Sequence, residues 1–122
     1  MKFRQIGIRI YDLNRAVEFY SKLLSSSPTA IFPVPGFAFF DLEGVRLFLD
    51  KNGSTGAVYL QVENVVAEIN QLKARGIRVV TEPHVVFPDN EGIFDKPGDE
   101  WLAFIEDSEG NTIGLMSRSS SY

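Results

Sequence analysis

Between Gln5 and Ile10 the apolar residues Ile6, Ile8 and Ile10 alternate with Gln5, Gly7 and Arg9. This is the period of a strand with one face on a core. Asp12 then stands as a helix N-cap, and Leu13, Ala16, Val17, Tyr20, Leu23 and Leu24 recur at intervals of three and four, the spacing of one helix face. The same plan returns 52 residues on, with Asn64 where Asp12 stood. There Val58, Leu60 and Val62 alternate with Ala57, Tyr59 and Gln61, and Val65, Ile69 and Leu72 carry the helix face. Gly76 in "ARGIRV" suits a left-handed stop after the second helix.

The segments after the two helices are also similar. The first helix leads into "TAIFPVP", "GFAFFDL" and "VRLFLD", separated by turn residues, and the second into "IRVVTEP", a long polar stretch, "EWLAFIED" and "NTIGLMS". The last two are joined by "DSEG", read as a hairpin turn. Each half therefore reads β-α-β-β-β, an α+β class. We expect one domain over residues 1–122, with modules at about 3–52 and 56–117. A half this small leaves one sheet face bare, so the modules should pack together, their sheets curving around a shared cleft with the helices outside. The tail from Ser117 to Tyr122 is expected to fray.

Composition narrows the classes. With 44% hydrophobic residues and ten Phe in 122, the chain is a folded globular one. The absence of cysteine excludes disulfides, thiolate metal sites and a cysteine nucleophile, and fits a reducing compartment. The first ten residues hold no signal-peptide apolar region, and no apolar run is long enough to cross a bilayer, so the expectation is a cytoplasmic protein without a membrane partner. A net charge of −4 with scattered Lys and Arg makes nucleic acid an unexpected partner.

A β-α-β-β-β tandem opening with "QIGIRIYDLNRAVEFYSKLL" and closing with "AFIEDSEGNTIGLMS" resembles the vicinal oxygen chelate superfamily, which includes glyoxalase I, extradiol dioxygenases and bleomycin-resistance proteins. The resemblance spans Gln5 to Met116, and the closing portion resembles a glyoxalase-like branch. In metal-dependent members it implies four ligands on inner strand faces, which carry over to Gln5, Phe48, Ala57 and Gly114. Of these, only Gln5 offers a side-chain oxygen, so the expectation is no metal and no cofactor. The resemblance also implies a homodimer.

Period-two counting from those positions brings Gly7, Arg9, Arg46, Asp50, Tyr59, Gln61, Thr112 and Met116 to the cleft, together with Ile105, Ala103 and Trp101. The candidate ligand-binding residues are Gln5, Arg9, Phe48, Tyr59, Trp101 and Met116, a mixed aromatic and polar set suited to a small organic molecule. Each has a plainer reading: Phe48 and Met116 as core filling, Arg9 as a partner of Asp50, Trp101 and Tyr59 as core aromatics. His84, the sole histidine, is the candidate catalytic residue, as general base or ligand anchor, or else a hydrogen-bonded strand-end residue. The segment 87–100 holds Asp89, Glu91, Asp95, Asp99 and Glu100 and reads either as a lid tipped by Ile93 and Phe94 or as a solvated turn. The function expected is metal-free binding of a small organic ligand. The alternative is a glyoxalase-like lyase, isomerase or dioxygenase that uses a displaced metal site, for example Gln5, Asp50 and His84, or acid–base chemistry through His84.

Overall fold

The computed structural model of the protein describes residues 1–108 and 110–119. Its two β-α-β-β-β modules form two compact units, residues 5–57 and Val58 onward, the latter together with Met1–Arg4.

In the first module, β1 (Lys2–Arg9) leads to α1 (Leu13–Leu24), followed by β2 (Ala30–Phe32), β3 (Phe37–Leu42) and β4 (Val45–Asp50), in the spatial order β2-β3-β4-β1. The Asp12 carboxylate accepts the Arg15 N–H at 2.9 Å, so the predicted cap starts the helix. Glu43 and Gly44, both at positive φ, make the two-residue turn joining β3 to β4, as a hairpin with right-handed twist requires. β1 and β4 run parallel, with Ile8 opposite Leu49 and Gly7 opposite Phe48. One face of this sheet builds the core from Ile10, Phe40, Leu47 and Leu49, against Leu13, Ala16, Tyr20 and Leu24 of α1. No α1 residue is itself fully buried.

In the second module, β5 (Ala57–Gln61), α2 (Val65–Ala74), β6 (Val79–Asp89), β7 (Gly98–Glu106) and β8 (Thr112–Ser119) form a sheet in the order β5-β8-β7-β6 with one helix on it. The Asn64 side chain accepts from Ala67 N–H at 3.0 Å, repeating the Asp12 cap. Gly76, at φ +80°, ends α2 as its lack of a Cβ allows, and Ile77 N–H returns to the Leu72 carbonyl. Val65, Ile69 and Leu72 of α2 pack with Ala103 and Leu115 of the sheet into a core that Trp101 and Ile105 extend. β6 carries Pro83 and Pro88 and slips register three times against β7.

Two expectations are corrected here. Ser117–Ser119 do not fray: they complete β8, with Ser117 buried and its hydroxyl accepting from Val65 N–H at 3.1 Å. Residues 120–122, the rest of that predicted tail, lie outside the described residues, as does Glu109 of "DSEG". The long polar stretch shrinks to residues 90–97, because β6 runs to Asp89 and β7 begins at Gly98.

Candidate functional site

Directly paired residues on neighbouring strands point to the same side of a sheet, so register shows what each module presents away from its helix. In the first module one row joins Gly7, Phe48, Phe39 and Ala30, the next joins Gln5, Arg46 and Asp41, and a third joins Arg9, Asp50, Phe37 and Phe32. The rings of Phe39 and Phe48 stack with centroids 4.8 Å apart and planes 4° from parallel. Phe37 meets Phe48 edge-on at 5.4 Å, and Phe32 meets Phe39 edge-on at 6.0 Å. The Arg46 guanidinium, in a residue 4% exposed, lies over the Phe39 ring at 5.4 Å from its centre. Beside it Gln5 is 3% exposed, and its Oε1 has no hydrogen-bond partner among the described residues.

The sequence candidates of this module fall differently. Gln5 and Phe48 belong to this aromatic face. Arg9 shares the side but its guanidinium turns to the exposed Tyr11, 5.6 Å from the centre of that ring. Asp50 accepts the Asn52 N–H at 2.9 Å and so braces the turn after β4. Phe32, Phe37 and Phe39 are additions that counting from the carried-over positions misses. The strings "AIF" and "FAF" carry the signal, since alternate residues share a face, but only the register of β3 on β4 shows which Phe joins Phe48.

In the second module Tyr59, Gly114 and Phe104 form one row, and Gln61, Met116 and Leu102 the next. The Tyr59 ring lies across Gly114, in the space that a Cβ there would need. Phe104 meets Tyr59 at 6.0 Å. Met116 is buried in the row beside them. Trp101 is a correction. It pairs with Ser117, and Ala103 pairs with Leu115, so Trp101, Ala103 and Ile105 face α2 and pack into its core, while Leu102 and Phe104 take the other side. The reason is parity. Asp107 N–H bonds the Asn111 carbonyl, and Thr112 pairs with Glu106, not with Ile105.

His84 is exposed on β6, its Nδ1 3.0 Å from the Glu82 carbonyl oxygen, and the Glu82 carboxylate is taken by Lys73 at 2.8 Å. The acidic segment is organised from within. Asp89, 1% exposed, accepts from Ile93 N–H at 2.7 Å, Phe94 N–H at 3.1 Å and Arg118 Nη2 at 3.1 Å. Arg118 also donates to Glu100 at 2.6 Å and to the Lys96 carbonyl. Burial pushes the Asp89 carboxyl up, but the Phe94 and Ile93 N–H groups and the Arg118 cation outweigh it and hold the group below its ordinary value. Phe94 packs edge-on against Phe87 at 5.8 Å. The tip expected to close over a ligand is thus tied to its own hairpin.

The positions that the resemblance assigns to metal ligands do not fit a metal. Gln5 supplies one amide oxygen, the Phe48 ring is stacked on Phe39, Ala57 has only a methyl, and the space beyond Gly114 is filled by Tyr59. A first-row metal needs about three nitrogen, oxygen or sulfur ligands from the protein. Among the described residues, no three His, Asp or Glu side chains are grouped to replace them. A groove of about 560 Å³ opens elsewhere, at the start of α2, between Met1, Lys2, Gln61, Asn64 and Glu68; it includes Gln61 of the expected cleft residues but none of the six candidate ligand-binding residues. No helix among the described residues is long and apolar enough to cross a membrane.

Comparison with known proteins agrees with the topology. The profile of the Glyoxalase/Bleomycin resistance protein/Dioxygenase superfamily matches residues 2–115. A trivalent organoarsenical cleaving enzyme of Bacillus sp. (strain MD1) is 30% identical over 119 residues, covering 85% of this chain and 73% of that protein. Among solved structures, a variant of Streptomyces coelicolor methylmalonyl-CoA epimerase in complex with 2-nitronate-propionyl-CoA is similar with a TM-score of 0.71 at 16% identity, over 99% of both chains. A glyoxalase/bleomycin resistance protein/dioxygenase superfamily member from Vibrio splendidus 12B01 is similar with a TM-score of 0.63, also at 16% identity, over 96% of this chain and 99% of that one. At such identities the two structures speak for the fold alone.

Proposed function

This chain belongs to the Glyoxalase/Bleomycin resistance protein/Dioxygenase superfamily, and on that premise we propose that it binds a small organic ligand against aromatic side chains, without a metal at the family's positions. The observation that carries this reading is the donor set: four positions with one oxygen between them, two of them taken up by aromatic packing, Phe48 on Phe39 and Tyr59 over Gly114. Imidazole and carboxylate are what hold a Lewis-acidic ion in an open site, and their replacement by rings changes the face from one that coordinates to one that stacks. The reading keeps a homodimer, an expectation taken from the family, which sedimentation of the purified protein tests.

The identity to an organoarsenical cleaving enzyme favours a second reading, an enzyme of related type. Two features weigh against carrying that activity over. The chain has no cysteine, so a soft trivalent arsenic centre finds no thiolate. His84, the one imidazole, is exposed and bonded to its own strand, with the nearby Glu82 carboxylate engaged by Lys73.

The decisive experiment is elemental analysis of the untagged protein, as isolated and after incubation with nickel, zinc, manganese or iron(II) followed by desalting. Metal well below one ion per chain in every case is expected. About one ion per chain or per dimer, with turnover lost in His84→Ala, would establish the enzymatic reading instead.

A further inference from the structure

We propose that the face of β2, β3, β4 and β1 opposite α1 takes a flat aromatic molecule that donates a hydrogen bond, from an O–H or N–H group, to Oε1 of Gln5. The inference rests on the ligand-binding reading above and names the class of ligand for it.

Two independent observations meet on this face. The first is the aromatic cluster. Phe39 and Phe48 are already parallel, Phe32 and Phe37 stand edge-on to them, and Phe32, Phe37 and Phe48 are only partly buried. A further ring can extend such an array by offset stacking or edge contact, which a saturated ring of the same size matches less well. The second is the Gln5 acceptor. A buried amide oxygen without a donor is uncommon because it has given up water for nothing, and native proteins retain one mainly where something else completes it. Gln5 pairs with Arg46, whose guanidinium covers Phe39, so the acceptor lies one row from the stacked rings. A ring on the phenylalanines that bears a hydroxyl or N–H at its rim satisfies both at once.

The described residues of the second module are arranged differently: its non-helix face lays the Tyr59 ring across Gly114 with Phe104 beside it, and its buried carboxylate Asp89 is already met by three donors. The acceptor of Gln5 is therefore the group that discriminates between ligands, and the phenylalanines are the surface that holds them.

The test uses the full-length protein and three probes of similar size: phenol, anisole and cyclohexanol. Binding is followed through the chemical-shift changes of the protein. The expected order is phenol, then anisole about tenfold weaker, as loss of one hydrogen bond to a buried acceptor implies, with cyclohexanol weaker than phenol and the shifts centred on Phe32, Phe37, Phe39 and Phe48. In Gln5→Leu the preference for phenol over anisole should vanish while the thermal midpoint does not fall. Gln5→Met, which keeps the side-chain length, serves if the leucine variant folds poorly. Equal binding of phenol and anisole to the wild type, a preference that survives loss of Gln5, or shifts centred elsewhere would each overturn the inference while leaving small-molecule binding intact. No binding of any probe would overturn that reading as well.

Discussion

The two modules share a plan to the residue at their helix starts, yet they differ in what they bury. α2 sinks Val65, Ile69 and Leu72 into its sheet, whereas α1, with its own cap and its own apolar stripe, buries no residue completely. The contrast recurs among the polar groups. In the second module the buried charges Asp89 and Glu100 are closed by Arg118 and by backbone donors; in the first, Gln5 is buried with its oxygen unanswered. Duplication of a plan thus preserves topology and leaves each copy free to allot its polar groups, in one case to holding a hairpin and in the other to a face that can still recognise something.

Breaking the closed network should have the largest effect. Arg118→Met leaves two buried carboxylates without their cation, and removing one partner of a buried pair typically costs about 3–5 kcal/mol. Urea denaturation should show a loss of that size, part of it recovered by adding Asp89→Asn; a loss under about 1 kcal/mol would mean that water reaches the carboxylates. The helices sharpen the comparison next. Ile69→Ala opens a cavity in a filled core and should cost about 2–5 kcal/mol. Val17→Ala, at a half-buried position on α1, should cost about 1 kcal/mol or less. Equal costs would show that α1 is as firmly packed as α2.

The smallest effect is in acid. Because the native Asp89 carboxyl lies below the ordinary value of 3.8, the unfolded chain binds its proton more readily. The stabilisation is therefore full above that value and is lost as pH falls through the lower native one. Stability measured from neutral to strongly acid pH should fall less steeply for Asp89→Asn than for the wild type, and identical slopes would remove Asp89 from the acid transition.

Much of the fold is legible because its signals are local. The alternation at Ile6–Ile10 and Val58–Val62, the stripe beginning at Leu13, and the caps Asp12 and Asn64 each depend on a few neighbouring residues, and the helices begin where those caps say. The errors are those of long-range pairing. Counting puts Trp101 on the wrong face because one residue of register, Thr112 opposite Glu106 in place of Ile105, reverses every side chain beyond it. Segment 87–100 reads as a loop because its carboxylates look solvated until Arg118 is brought to Asp89 from far along the chain. For the aromatic face, Gln5 and Phe48 are positions that the family resemblance carries over, not ones that period shows, and the partners of Phe48 need the β3–β4 register. Neither the placement of Tyr59 over Gly114 nor the burial of Gln5 has any trace in composition or period.

The strands that end each module's order, β2 and β6, have a further consequence. An open sheet edge is a row of unpaired amides that can template the addition of foreign chain. β2 is only three residues long, and β6 is interrupted by Pro83, Pro88 and three slips of register. Proline lacks the N–H that such a template requires, and each slip bends the strand away from a straight partner. A protein with Val80, Val85 and Val86 exposed along β6 is therefore guarded against polymerising through that strand, and replacing either proline with a β-branched residue is the change most apt to make the chain form fibrils.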